Sequence, residues 1–125
     1  MTILGAEVPF ASYCGIEDLG VTDGVTRLKM SPGPHHTNNS GTLHGGAICT
    51  LLDVAMGSAA RLRADAPVMT IDMHVTFLSA GRGALTAEGR VIRAGRSIIF
   101  VEAEARAEDG EIVARSSGVF KPARG

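Results

Sequence analysis

Asn38-Asn39-Ser40-Gly41-Thr42-Leu43-His44-Gly45-Gly46 leads into a long apolar run of Ala47, Ile48, Cys49, Leu51, Leu52, Val54, Ala55 and Met56. No proline interrupts the chain from there until Pro67. Apolar residues recurring with a period near 3.6 predict a helix from the glycines to about Ala60. It is apolar nearly all round, so it is expected inside the molecule. The exceptions, Gly46, Thr50, Asp53 and Gly57, are spaced to share one stripe, while Ile48, Leu52, Ala55, Met56 and Ala59 take the other side. Asp53 stands out. A carboxylate in such a helix must be hydrogen-bonded or paired. It is either a structural group satisfying another element or part of a site. Free N–H groups at the glycine-rich helix start, with the positive helix end, can stabilise an oxyanion. A carboxylate and an oxyanion donor on one short segment point to acyl chemistry.

On the N-terminal side, residues Met1–Tyr13 carry little signal beyond a short helical turn or loose arm over Pro9–Tyr13. Ile16–Val21 and Val25–Met30 flank Asp23-Gly24, a strong hairpin signal. Ser31-Pro32-Gly33-Pro34 then opens a loop that reaches to about Leu43. On the C-terminal side, Asp65-Ala66-Pro67 breaks the helix. Thr70, Asp72, His74 and Thr76 alternate with Ile71, Met73, Val75 and Phe77, which predicts a half-buried strand. Three more strands follow at Leu85–Arg93, Ser97–Ala107 and Ile112–Phe120. The turns between them are Gly81-Arg82-Gly83, Gly95-Arg96 and Asp109-Gly110. Short turns imply antiparallel neighbours. With one apolar helix and one sheet, the sheet must curl around the helix. The expected class is α+β, a single domain over residues 1–125.

Composition narrows the function. The 125 residues suit one domain, 45% are hydrophobic, and the formal net charge is −1. There is no basic footprint for nucleic acid and no membrane tag or spanning segment. The N-terminus lacks a signal pattern, so a cytoplasmic protein is the default expectation. Cys14 and Cys49 form no ligand spacing, and Cys49 reads as a small hydrophobe on the helix. His35, His36, His44 and His74 lack the carboxylate pattern of a zinc helix, so no metal is expected.

The pattern Asn38-x-x-Gly41-Thr42-Leu43-His44-Gly45-Gly46, with Asp53 beyond it, resembles the hot-dog-fold acyl-CoA thioesterases. The likeness is greatest to their phenylacetate-degradation (PaaI-like) branch and extends from about Gly15 to Phe120. It implies hydrolysis of an acyl-CoA, with coenzyme A as part of the substrate and no separate cofactor. Asn38 matches the asparagine that contacts the thioester region; a loop asparagine is also an ordinary turn residue. Gly45 matches the N–H donor to the thioester carbonyl, although glycine equally permits close packing. Asp53 would be general base or nucleophile. Thr70 matches the hydroxyl that holds the attacking water, and threonine is also simply common in strands. His44, in the field of a helix start, is read as orienting the loop rather than as a base. Arg93, Arg96 and Ser97 around Gly95 resemble the family's nucleotide-binding loop; arginines on turns are also commonly just solvated.

Gly45 and Asp53 stand about 12 Å apart along a helix, too far to meet one carbonyl. Two such helices packed antiparallel across a two-fold axis would close the gap, so a homodimer or a homotetramer (dimer of dimers) with sites between subunits is expected. A non-catalytic acyl-CoA-binding module is the alternative, though pure binding requires no Asp53. A hot-dog dehydratase would need a catalytic His paired with an acid, a motif this sequence lacks.

Overall fold

A computed structural model describes residues 2–123. The elements run β1 (Thr2–Ile3), β2 (Ala6–Glu7), α1 (Pro9–Tyr13), β3 (Ile16–Thr22), β4 (Val25–Met30), α2 (Gly45–Ala64), β5 (Val68–Phe77), β6 (Leu85–Ala94), β7 (Ile99–Ala107) and β8 (Ile112–Pro122). Among the described residues, one antiparallel sheet has the order β3-β4-β6-β7-β8-β5 and wraps around α2. This is the hot-dog arrangement expected from the pattern.

The Asp-Gly turns behave as their chemistry dictates. Asp23 and Gly24 both adopt positive φ, 51° and 78°, as a two-residue hairpin loop requires. The helix runs one turn past Ala60, to Ala64, and ends where Asp65 turns left-handed and donates its N–H to the Arg61 carbonyl. Ile48, Leu51, Leu52, Ala55, Met56 and Ala59 are buried against Leu28, Leu85, Val101 and Phe120 from the sheet. Gly46, Thr50, Asp53 and Gly57 are left on the face away from this core, as the spacing predicts.

The helix lies close to β6. A Cβ at Gly89 would come within 2.3 Å of the Ala55 carbonyl oxygen, and Thr26 donates its hydroxyl to that same oxygen at 2.9 Å. Gly89 thus marks a close backbone approach inside a continuous strand, not a break in it.

Two expectations are corrected. β5 does not pair with its sequence neighbour β6; it pairs with β8 at the far edge of the sheet. The connection after Phe77 is held by Leu78 and Ser79 N–H groups on the Val113 carbonyl, and it crosses the start of α2, where Leu43 N–H donates to Gly81. Curling round the helix separates the two strands despite their short link. Second, the alternation along β5 is broken by a bulge at Ile71, because Thr70 stands opposite Phe120 and Asp72 opposite Val119. Val68, Met73 and Val75 face the core, while Ile71 is 54% and Phe77 50% exposed. The short helical turn expected at Pro9–Tyr13 is α1; before it, where the sequence carries little signal, β1 and β2 form a small hairpin, and the Leu4 N–H donates to Asp18 at 3.0 Å.

Candidate active site

The start of α2 is built by a chain of short hydrogen bonds. His36 is buried; its Nδ1 accepts the Gly33 N–H at 2.9 Å, which leaves Nε2 to donate to the Cys14 carbonyl at 2.6 Å. The His36 carbonyl accepts the His44 N–H at 2.7 Å. His44 caps the helix, its Nδ1 accepting the Gly46 N–H at 2.8 Å. The Ala47 and Ile48 N–H groups turn to the His44 carbonyl. Gly45 remains as a first-turn N–H with no acceptor among the described residues. His44 therefore holds the loop on the helix, the role read from its position. His36, which the sequence reading passed over, ties that loop to the end of α1 at Cys14; its signal was a histidine shortly after two prolines, which is no specific signal.

Asn38 is turned on its own loop. Its Oδ1 accepts from Ser40 and Thr42 N–H groups at 2.8 and 3.2 Å, and its Nδ2 donates to the Thr42 hydroxyl at 2.9 Å. This is the geometry of the turn reading. A Cβ on Gly45 would lie 3.3 Å from Phe77 Cζ, so close packing also operates there.

Asp53 is half-buried, and Thr70 donates its hydroxyl to Asp53 Oδ1 at 2.7 Å. The bulge at Ile71 is what makes this contact. Unbroken alternation would put Thr70 on the face opposite Met73 and Val75; the extra residue brings it round to the helix side. Asp53 and Thr70 sit where two clefts meet. One, of about 400 Å³, passes Phe10, Cys49 and Met73; the other, of about 260 Å³, passes Leu4, Gly57 and Arg61. The structure thus gathers Asn38, His44 and Gly45 at the helix start and Asp53 with Thr70 two turns on. It does not bring the two groups together within one chain. Burial and the neighbouring Asp53 charge both push the Cys49 thiol up, which keeps it protonated and unsuited to attack.

Arg93, Arg96 and Ser97 are exposed, on or beside the β6–β7 turn, where the Gly95 N–H donates to the Ile98 carbonyl at 2.8 Å. Arg93 lines a depression of about 800 Å³, larger than either cleft at Asp53, with Arg63 and Arg90; Arg96 lines a separate one with Ala64 and Pro122. Neither depression includes Asp53, so size does not identify the reacting centre here. Among the described residues no helix is long and apolar enough to cross a membrane.

Comparison with known proteins agrees with this architecture. The sequence model of the thioesterase superfamily matches residues 40–114, a span containing Gly45, Asp53 and Thr70 but not Asn38. A Halobacterium salinarum protein that carries the provisional name of esterase is 36% identical over 73% of this chain, which spans 65% of that relative's length. Human acyl-coenzyme A thioesterase 13 is 27% identical over 65% of this chain and 60% of its own. The structure of Escherichia coli PaaI, from the phenylacetic acid degradation operon, superposes with a TM-score of 0.88 at 21% identity, covering 95% of this chain and 87% of that one. The likeness to the PaaI-like branch is thus met at the level of fold. By its match to the sequence model, with a sheet wrapped on one helix in agreement, the chain belongs to the thioesterase superfamily.

Proposed function

We propose that the protein hydrolyses acyl-CoA thioesters to a free carboxylic acid and coenzyme A, at sites formed between two copies of the chain. The observation that carries this reading is the Asp53 carboxylate, displayed on the cleft side of α2 and oriented by the Thr70 hydroxyl. Thr70 donates to Oδ1, which leaves Oδ2 and the threonine lone pairs to hold a water. Asp53 takes a proton from that water as its oxygen attacks the thioester carbonyl carbon. The Gly45 N–H of the other copy meets the carbonyl oxygen, where negative charge grows. The tetrahedral intermediate collapses with loss of the coenzyme A thiolate, which takes up a proton. Nucleophilic attack by Asp53 itself would pass through a mixed anhydride, but the position of Thr70 favours the water route.

The dimer is supported by β5, a sheet-edge strand carrying exposed Met69, Ile71 and Phe77. Unpaired, apolar edges of this kind invite a second strand. The exposed cations at Arg93 and Arg96 suit the nucleotide phosphates, with Ser97 beside them on the same turn.

The test is turnover of short aliphatic, long aliphatic and aryl acyl-CoAs, read with a thiol-trapping dye. Asp53→Asn keeps shape and hydrogen bonding but removes the base. It should lower kcat by roughly a hundredfold or more while leaving the fold intact. A variant that turns over at near the parent rate would remove Asp53 from the mechanism.

A further inference from the structure

Arg61 extends the exposed stripe of α2 by one further position, after Gly46, Thr50, Asp53 and Gly57. It is half-buried in the smaller of the two clefts that meet at Asp53. Among the described residues its guanidinium has no ion pair or hydrogen-bond acceptor. The cleft wall between it and Asp53 is mostly apolar, made by Ile3, Leu4, Val8, Val54, Val68 and Phe120, with the Ser58 and Thr70 hydroxyls beside them. Gly57 keeps the floor open, since a Cβ there would rest 3.5 Å from the Phe120 ring and take up cleft volume.

We propose that this cleft receives an acyl group ending in a carboxylate, so that the substrates are ω-carboxyacyl thioesters of coenzyme A and Arg61 binds the far carboxylate. The inference rests on the hydrolytic reading above and names its substrate class. Three observations carry it. The guanidinium stands beside the apolar wall with no protein acceptor among the described residues, so it is free to meet an anion, and its planar fork matches a carboxylate. The wall of Ile3, Leu4, Val8, Val54, Val68 and Phe120 suits methylenes. The length is also right. Asp53 and Arg61 are eight residues apart, about 12 Å along the axis. The long arginine side chain leans back toward the helix start and shortens the gap to a chain of roughly four to six methylenes.

Adipoyl-CoA and suberoyl-CoA, compared with hexanoyl-CoA and octanoyl-CoA, test the idea on the intact protein. The parent should favour the carboxylated members in kcat/KM by about tenfold to a hundredfold, the worth of one charge-assisted pair. Arg61→Gln should bring that ratio close to one, and Arg61→Lys should keep part of it. Equal kcat/KM for carboxylated and plain acyl groups in the parent would overturn the proposal and leave acyl-CoA hydrolysis standing. A ratio unchanged in Arg61→Gln, with KM raised for all acyl-CoAs but not for N-acetylcysteamine thioesters, would assign Arg61 to the nucleotide phosphates and equally overturn it. Absence of turnover with every acyl-CoA would overturn both readings.

Discussion

His44 commits its Nδ1 to the Gly46 N–H, and the following carbonyl network takes the next two donors, so the single N–H left over belongs to Gly45. Removing that one proton is feasible without dismantling the helix. Gly45 occupies the first helical position, where proline is at home. His44 already has φ −63° and ψ 136°, the extended region a residue before proline prefers. Gly45→Pro should therefore leave the helix content measured by circular dichroism unchanged and lower kcat by about a hundredfold or more, the loss expected for one oxyanion donor. Gly45→Ala is the control. It carries a Cβ into the same 3.3 Å contact with Phe77 but keeps the N–H, and it should retain most of kcat. Equal losses in both variants would mean that Gly45 matters for packing alone. At this scale the sequence was legible where a residue's neighbours along the chain decide its contacts, as for His44, which caps the helix that follows it. It was mute where the partner comes from elsewhere. Nothing near Thr70 in sequence announces Asp53, and Arg61 could be found only by extending the small-residue stripe one more turn.

Elements were legible wherever turn chemistry and hydrophobic period agreed, as in the Asp23-Gly24 hairpin, the apolar helix, and the alternation of Ile99, Val101, Ala103 and Ala105. The bulges were not. Inserting Ile71 into β5 reverses which side chains face α2, and no local residue preference forces it; the curvature of a sheet closing on a helix does. Ile92 produces the same shift in β6. Pairing of β5 with β8 also escapes the sequence, since a short connection favours, but does not compel, adjacent strands. Gly89 had a signal, a glycine within a strand, and its cause is the Ala55 carbonyl beneath it. Gly89→Ala places a Cβ 2.3 Å from that oxygen, so α2 or β6 must shift. Thermal unfolding should show a loss of about 1–3 kcal/mol, the range for overpacking a close contact. An unchanged Tm would show that the helix seat on β6 is loose. That would undercut the positioning of Asp53, which sits two residues before Ala55.

Across the whole molecule, the proposed reaction asks for two groups that one chain holds apart. The helix start displays the Gly45 N–H, and the Asp53 carboxylate, hydrogen-bonded by Thr70, stands about 12 Å further along the same axis. The edge strand β5 and the small stripe of α2 are the surfaces through which a second copy would bring the missing half. The measurement that tests this most directly is complementation. Asp53→Asn and Gly45→Pro chains are each assayed alone, then mixed after reversible dissociation, with mixed dimers confirmed by native mass spectrometry. Sites shared between subunits predict two nearly inactive parents and a mixture with about a quarter of the original activity, because half of the dimers are mixed and each regains one of its two sites. Mixed dimers that form in full but stay as inactive as their parents would place both groups in a single chain's site and contradict the account.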